Sequence, residues 1–188
     1  MPAVHSSKDN VVLQQHPLDP LTRNEIVLAA EIVKKEFDND PLLRFETIEL
    51  YEPPKQLVRA FSSTAGNTTV LGERKARVNA FKIGKGIGVW RMIVNITEST
   101  VLSKVEKPLA RPMIQLDEFV DIENAVKQDE RVKEACQKRG ITNMDLVCID
   151  PWSSGMFGND YEEGRRLCCT YMWVKSSPLD NLYAHPVD

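Results

Sequence analysis

Histidine is the commonest metal ligand in proteins, so the three histidines are the first residues to test for chemistry. They are His5, His16 and His185. No two of them are two or four positions apart, so no strand or helix can present a pair of imidazoles on one side. His16 and His185 each precede proline, and we expect them to form hydrogen bonds in loops or at strand ends. The sequence therefore predicts no metal site.

The cysteines, serines and carboxylates also lack catalytic spacing. The four cysteines, Cys136, Cys148, Cys168 and Cys169, form no CxxC pair and are predicted to be reduced core thiols. Ser153 and Ser154 have no nucleophile-elbow pattern or nearby histidine. Four carboxylates fall within one predicted helix and are expected to be mostly solvated: Asp117, Glu118, Asp121 and Glu123. No catalytic residue is predicted.

Three alternate glycines lie in the segment 83–90, Ile-Gly-Lys-Gly-Ile-Gly-Val-Trp. A phosphate-binding loop would need a following helix whose N-terminus faces the anion. No helical pattern follows, so the glycines predict a hairpin turn.

Composition excludes several classes of function. The net charge of -3 gives no basic surface for nucleic acid. The longest apolar run, residues 26–30, is far shorter than the ~18 residues that a membrane span needs. Residues 1–10 lack the apolar core of a signal peptide, which predicts an intracellular protein. Residues 1–15 are expected to form a disordered leader.

The first half predicts one helix followed by antiparallel strands. Thr22 and Glu25 have the spacing of a capping box, so a helix should begin there. Its predicted apolar stripe consists of Ile26, Ala30, Val33 and Phe37. Alternating residues then predict strands at 45–51, 68–83 and 87–97.

The second half repeats this order. Leu116, Phe119, Ile122 and Val126 define one helical face, Val132 and Cys136 lie on the next, and Gly140 is the expected C-cap. Strands are predicted at 144–149 and 165–174, and another begins at Leu182. The pattern predicts two α+β domains, residues 16–107 and 108–188, the second lacking its last strands.

Several ordered motifs resemble copper amine oxidases of the fungal and peroxisomal type. The segment His16-Pro-Leu-Asp-Pro-Leu-Thr22 and its following helix match the opening of the family's second N-terminal domain. Motifs that resemble the third N-terminal domain follow in family order, at residues 116–126, 138–142, 150–155, 164–167 and 184–188. The resemblance implies two tandem cystatin-like domains, each a helix on an antiparallel sheet.

The same resemblance implies that the chemistry lies elsewhere. The family's catalytic domain binds copper and topaquinone and oxidises primary amines to aldehyde, ammonia and hydrogen peroxide. Its quinone forms from the tyrosine of Asn-Tyr-Asp or Asn-Tyr-Glu, and a His-x-His pair binds copper. Neither pattern occurs here, since Asp160 separates Asn159 from Tyr161. We therefore expect this chain to hold no cofactor and to be inactive alone.

Phe119, Pro151, Trp152 and Tyr183 match positions that line the family's amine channel above the quinone. The alternative is that Phe119 and Trp152 are core residues of their own domain. An aromatic wall would suit the hydrocarbon part of an amine.

The resemblance implies that the chain packs beside the catalytic domain or a second subunit of a homodimeric amine oxidase. It also implies a cytoplasmic or peroxisomal location. The rival hypothesis is a free-standing protein-binding module derived from an amine oxidase, with no enzymatic activity.

Overall fold

A computed structural model describes residues 16–63, 73–84 and 86–187. The predicted leader lies outside these residues. The helices are α1 (Arg23–Glu36), α2 (Lys55–Ser63), α3 (Leu116–Gln128) and α4 (Glu130–Lys138). The strands are β1 (Leu43–Leu50), β2 (Lys75–Lys82), β3 (Val89–Asn95), β4 (Thr100–Lys107), β5 (Val147–Ser153) and β6 (Cys168–Val174). No helix in the described part of the chain has the length and hydropathy of a membrane span.

The strands form two sheets, one of four strands in the order β1-β2-β3-β4 and one of two strands, β5-β6. The combination of helices with antiparallel sheets confirms the predicted α+β class. The described residues divide into two compact units: the first lies within 1–41, 47–79 and 91–105, and the second within 42–46, 80–90 and 106–188. The predicted domain boundary after residue 107 and the cystatin-like topology stay predictions.

Helix α1 begins at the predicted capping box, in which the Glu25 amide donates to Thr22 Oγ1 (3.3 Å) and the Thr22 amide donates to the Glu25 carboxylate (2.7 Å). The predicted apolar stripe is only partly correct, because Ile26 is 38% exposed. The buried side chains of the first unit come from α1, β2 and the β3 region: Ala29, Ile32, Val33, Phe37, Ala76, Val78, Met92, Val94 and Ile96.

The glycine-rich segment is the turn between β2 and β3, as predicted. Gly84, Gly86 and Gly88 have φ values of 82°, 83° and 108°. Such angles are open to glycine but strained for other residues. The prediction from sequence did not include α2 or β4. Most side chains of β4 are exposed, whereas α2 is a short amphipathic helix.

The helical pattern predicted up to Gly140 forms two helices, α3 and α4. The predicted C-terminal glycine is confirmed, since Gly140 has φ 78° and its amide donates to Gln137 O (2.9 Å). The amide of Ile141 donates to Cys136 O (2.9 Å), which completes a Schellman motif. The strand predicted to begin at Leu182 is wrong, because Leu182 lies in a turn and the segment forms only an isolated bridge, between Pro186 and Trp173 of β6.

Candidate functional site

The four residues predicted to line an amine channel all lie in the second unit. Phe119 is half-buried on α3. Pro151 and Trp152 are neighbours in β5, where Pro151 is buried and Trp152 is 59% exposed. Tyr183 follows β6 and is 52% exposed. The alternative assignment of Trp152 to its domain core is therefore wrong, because more than half of its surface is accessible.

Strand alternation separates Pro151 from Trp152. Successive side chains of a strand point to opposite faces of the sheet. Val147, Ile149 and Pro151 are buried, so they define the inner face of β5. Trp152 belongs to the outer face, together with Asp150. Pro151 can support the strand under Trp152, but its side chain does not share the surface that Trp152 presents.

The outer face carries a carboxylate beside two aromatic rings. The indole Nε1 of Trp152 donates to Asp150 Oδ2 (3.0 Å). Tyr171 of β6 is the direct cross-strand partner of Asp150, and its side chain is 56% exposed. Directly opposed side chains share a face and have Cβ atoms about 5 Å apart. We call Asp150, Trp152 and Tyr171 the Trp152 cluster.

Tyr183 packs elsewhere on the same sheet. Its ring meets that of Trp173 edge to face, with centroids 5.3 Å apart. The register pairs Trp173 with Cys148 and Trp152 with Cys169. Trp173 therefore lies about 13 Å along β6 from the partner of Trp152. The structure thus places Tyr183 and Trp152 at different ends of this sheet.

Main-chain hydrogen bonds join the residues that follow Tyr183 to β6. The amide of Val174 donates to His185 O (2.8 Å), and the amide of Val187 donates to Met172 O (2.9 Å). The buried indole nitrogen of Trp173 has no hydrogen-bond acceptor among the described residues.

An ion pair that the sequence did not predict fixes the start of α3. Arg166 donates to both carboxylate oxygens of Glu118, at 2.5 and 2.6 Å. It also donates to the carbonyls of Pro112 (2.8 Å) and Met113 (2.5 Å). Its guanidinium carbon lies 5.2 Å from the centre of the Phe81 ring. Glu118 was expected to be solvated, but its side chain is only 16% exposed.

The charge state of Glu118 follows from these contacts. Burial by itself raises the pKa of its carboxyl, but the hydrogen bonds from Arg166 and the Gln115 amide outweigh this and leave the pKa lowered. Glu118 stays ionised and immediately precedes Phe119. The only sequence signal for this arrangement was the capping box, in which the Gln115 amide donates to Glu118 (2.9 Å).

The Asn159–Glu162 segment forms a surface turn. Tyr161 is 61% exposed in a single 3-10 turn, Asp160–Glu162. The buried carboxylate of Glu162 accepts amide hydrogens from Phe157 (2.8 Å), Gly158 (2.9 Å) and Asn159 (3.0 Å). The carboxylate after Tyr161 is therefore used in folding the loop.

The donor groups of the described residues do not fit a copper site. Residues 16–63, 73–84 and 86–187 contain no cluster of three or more His, Cys, Asp or Glu side chains that could hold a metal. His16 Nδ1 accepts from the Leu18 amide (3.1 Å), and His185 Nε2 lies 3.5 Å from Asp180 Oδ2. The His16 contact confirms the expected local hydrogen bond, and His185 lies within ion-pair distance of Asp180. His5 lies outside the described residues.

The class of protein follows from comparison of this α+β chain with family profiles. The profile described as "Copper amine oxidase, N2 domain" matches residues 16–106, and that of "Copper amine oxidase, N3 domain" matches residues 117–188. The chain belongs to the copper amine oxidase family and corresponds to the N2 and N3 domains of that family. In this family copper and topaquinone are bound by the catalytic domain, which these matches do not include.

Individual relatives agree with this assignment. A primary amine oxidase of Arthrobacter sp. (strain P1) is 36% identical over 98% of this chain and 27% of its own length. Copper amine oxidase 1 of Schizosaccharomyces pombe is 30% identical over 92% of this chain and 24% of its own length. This chain thus spans about a quarter of each relative.

A solved structure shows the same fold. The copper-containing benzylamine oxidase of Hansenula polymorpha aligns with a TM-score of 0.68 and 21% identity, over 92% of this chain and 27% of that chain.

Proposed function

We propose that this chain is the N-terminal, non-catalytic region of a copper- and topaquinone-containing primary-amine oxidase. In this proposal its second unit lines the route by which the amine reaches the quinone. The observation that carries it is Trp152, a large indole kept 59% exposed at a position matching the family's amine channel. Contiguous exposed apolar surface commonly marks a binding site, and the exposed Tyr171 lies on the same face of the sheet as Trp152.

The chemistry of the surface suits an amine in transit. The Trp152 ring offers apolar area for a methylene chain or an arene, and aromatic faces also attract ammonium groups. Pro151 supports the strand from its buried side, and Phe119 lies half-buried on α3, the helix that packs along β5. Tyr183, whose ring packs against that of Trp173, would line a separate part of the amine channel.

The partner in this proposal is the amine oxidase catalytic domain, in the same subunit or in a second subunit of a homodimer. Apolar side chains of the second unit support a covered surface, because an isolated domain rarely exposes so many large ones. They are Leu109 (76%), Met113 (63%), Leu116 (82%), Met156 (60%) and Phe157 (78%). A cytoplasmic or peroxisomal location is proposed with it, since a relative of this region is a peroxisomal diamine oxidase of Nicotiana tabacum.

A chimera tests the channel role. This chain would replace the matching region of the Arthrobacter primary amine oxidase, and kcat/KM for methylamine and benzylamine would be measured with and without Trp152→Ala. We expect kcat/KM for benzylamine to fall several-fold in the variant. Tyr161→Ala is the matched control because Tyr161 is equally exposed, at 61%, but lies outside the proposed wall. Equal kinetics for the two variants would contradict the proposal.

An assay of the chain alone separates this proposal from enzymatic activity. Purified chain with added copper should release no hydrogen peroxide from primary amines and should not stain for a redox-cycling quinone. Activity or staining would mean that Tyr161 or another residue forms a cofactor. A free-standing binding module would also be silent, but its chimera would show no dependence on Trp152.

A further inference from the structure

The loop of residues 175–181, which follows β6, contains two adjacent serines in different environments. Ser176 and Ser177 are both exposed. The hydroxyl of Ser176 donates to Asp180 Oδ2 (2.6 Å), whereas the hydroxyl of Ser177 forms no hydrogen bond with the described residues. The Ser176 side chain is therefore used in folding the loop, and the Ser177 hydroxyl is accessible for reaction.

The backbone places Ser177 at the start of a tight turn. The amide of Asp180 donates to Ser177 O (2.9 Å), so these two residues are the first and last of a four-residue turn in which Pro178 is second. Proline favours extended backbone conformations in the residue before it. Leu179 is 99% exposed, so the tip of the turn is also open to solvent. An enzyme that binds a short extended segment can reach Ser177 without unfolding a helix or a strand.

The residue after Ser177 limits which class of enzyme fits. Pro178 is the only one of the 11 prolines that follows a serine or threonine. Proline has no amide hydrogen, so it is favoured at an enzyme subsite that offers no acceptor for that hydrogen. Any other residue would leave a buried N–H unsatisfied there, at a cost of about 1–3 kcal/mol. Proline-directed protein kinases select the serine-proline pair in this way.

We propose that Ser177 is a phosphorylation site for a proline-directed serine/threonine kinase. The Ser177 hydroxyl oxygen attacks the γ-phosphorus of ATP and forms a new O–P bond, while the bond to the β-phosphate oxygen breaks and ADP leaves. The hydroxyl proton passes to the catalytic aspartate of the kinase. The phosphate adds about 1.5 to 2 negative charges at pH 7 to a loop in which the charges of Lys175 and Asp180 otherwise cancel.

The added charge acts on the carboxylate that holds the loop together. Asp180 accepts the amide hydrogens of Ser176 (2.9 Å) and Asn181 (2.9 Å). A phosphate three residues away repels this carboxylate, and it attracts Lys175, whose ammonium donates to Pro178 O (3.5 Å). Phosphorylation therefore loosens the loop. We expect the Ser176 and Asn181 amides to exchange with solvent about two- to five-fold faster in the phosphorylated chain, as measured by NMR.

The site is tested by incubating the purified chain with a recombinant proline-directed kinase, Mg²⁺ and ATP, followed by peptide mass spectrometry. We expect a single phosphate, on Ser177. Ser177→Ala should abolish incorporation, and Pro178→Ala should slow it at least about ten-fold. Ser176→Ala is the matched control, because it removes the neighbouring exposed hydroxyl, and its rate should stay within about two-fold of wild type.

A synthetic peptide of residues 171–185 separates recognition of the motif from its accessibility in the fold. Phosphorylation of the peptide without phosphorylation of the folded chain would mean that the fold hides Ser177, which overturns the proposal. Failure with both substrates, or phosphate on another residue, overturns it as well. Unchanged amide exchange in the phosphorylated chain would reject the effect on the loop. None of these outcomes depends on the channel role.

Discussion

Arg166 and Glu118 are 48 residues apart in sequence and form a two-contact ion pair with both side chains largely buried, at 14% and 16% exposure. The same guanidinium holds the two carbonyls of Pro112 and Met113. The Arg166 side chain therefore links the N-terminus of α3 to the segment that precedes β6.

The first unit uses the same arrangement. Arg74, which directly precedes β2, pairs with Glu25 across 49 residues and donates to the carbonyls of Asp19 (2.9 Å) and Pro20 (2.8 Å). Glu25 and Glu118 each occupy the third position of a helical capping box. The two units thus share a structural element although their sequences show no residue-by-residue repeat.

Removing one partner of this pair should destabilise the second unit. Glu118→Gln leaves the Arg166 charge without its counter-ion, and we expect a loss of about 2–4 kcal/mol in the free energy of unfolding. Urea denaturation followed by circular dichroism measures it. Glu123→Gln on the same helix is the control, because Glu123 is more exposed and forms an i,i+4 pair worth under about 0.5 kcal/mol. Equal losses would show that burial of the pair is unimportant.

Acid should destabilise the N-terminal ends of α1 and α3. Burial raises the pKa of Glu25 and Glu118, but their hydrogen bonds, those from Arg74 and Arg166 foremost, leave both values lowered. A lowered folded-state pKa contributes stability above the unfolded value that is lost as pH falls through the folded value. We expect unfolding free energy to fall from about pH 4.5 downwards.

The control for this pH effect is the Glu25→Gln, Glu118→Gln double variant. It should be less stable at pH 7 and should show a shallower decline in acid. A decline as steep as that of wild type would assign the acid sensitivity to other carboxylates.

Trp152 should matter little for stability. Because 59% of its side chain is exposed, Trp152→Ala is expected to cost under about 1 kcal/mol. Ile149→Ala, three positions earlier in β5 and 5% exposed, should cost about 2–4 kcal/mol. Thermal unfolding of both variants makes the comparison. A large loss for Trp152→Ala would indicate a structural role in place of a binding role.

We expect Gly86→Ala to destabilise the protein more than Gly84→Ala, although both residues lie in the β2-β3 turn. Both residues have φ near +82°, so either substitution is strained by about 1 kcal/mol. A Cβ at Gly86 would also lie 3.3 Å from Gly164 O, while among the described residues no atom beyond the chain neighbours lies within 4 Å of one at Gly84. Urea midpoints of the two variants test this difference, and equal midpoints would contradict the contact.

The thiols should react in order of exposure. All four cysteines are free: Cys169 is exposed, Cys148 and Cys168 are half-buried, and Cys136 is buried. Burial raises the pKa of Cys148 and Cys168, which lowers their thiolate fraction further. Maleimide labelling with peptide mass spectrometry at pH 7.5 should modify Cys169 first. Cys169→Ser should remove the fast phase, and fast labelling of Cys136 would contradict the packing of α4.

Local signals determined much of the fold. The capping box at Thr22, the turn glycines and Gly140 each require a particular backbone conformation, so these elements were predictable from adjacent residues. Strand β4 was missed because its side chains are mostly exposed, which leaves little apolar alternation to detect. Helix α2 has an amphipathic pattern, but it is only nine residues long and the prediction did not include it.

The sequence by itself determined the α+β class and, through its ordered motifs, membership of the copper amine oxidase family. Only the tertiary structure decided that Trp152 is exposed beside Asp150, that Pro151 faces the other way, and that Tyr183 packs on Trp173. The physical reason is that strand register sets which residues share a face, and a shift of one position would exchange the two faces. Register and long-range ion pairs such as that of Arg166 with Glu118 depend on residues far apart in the chain.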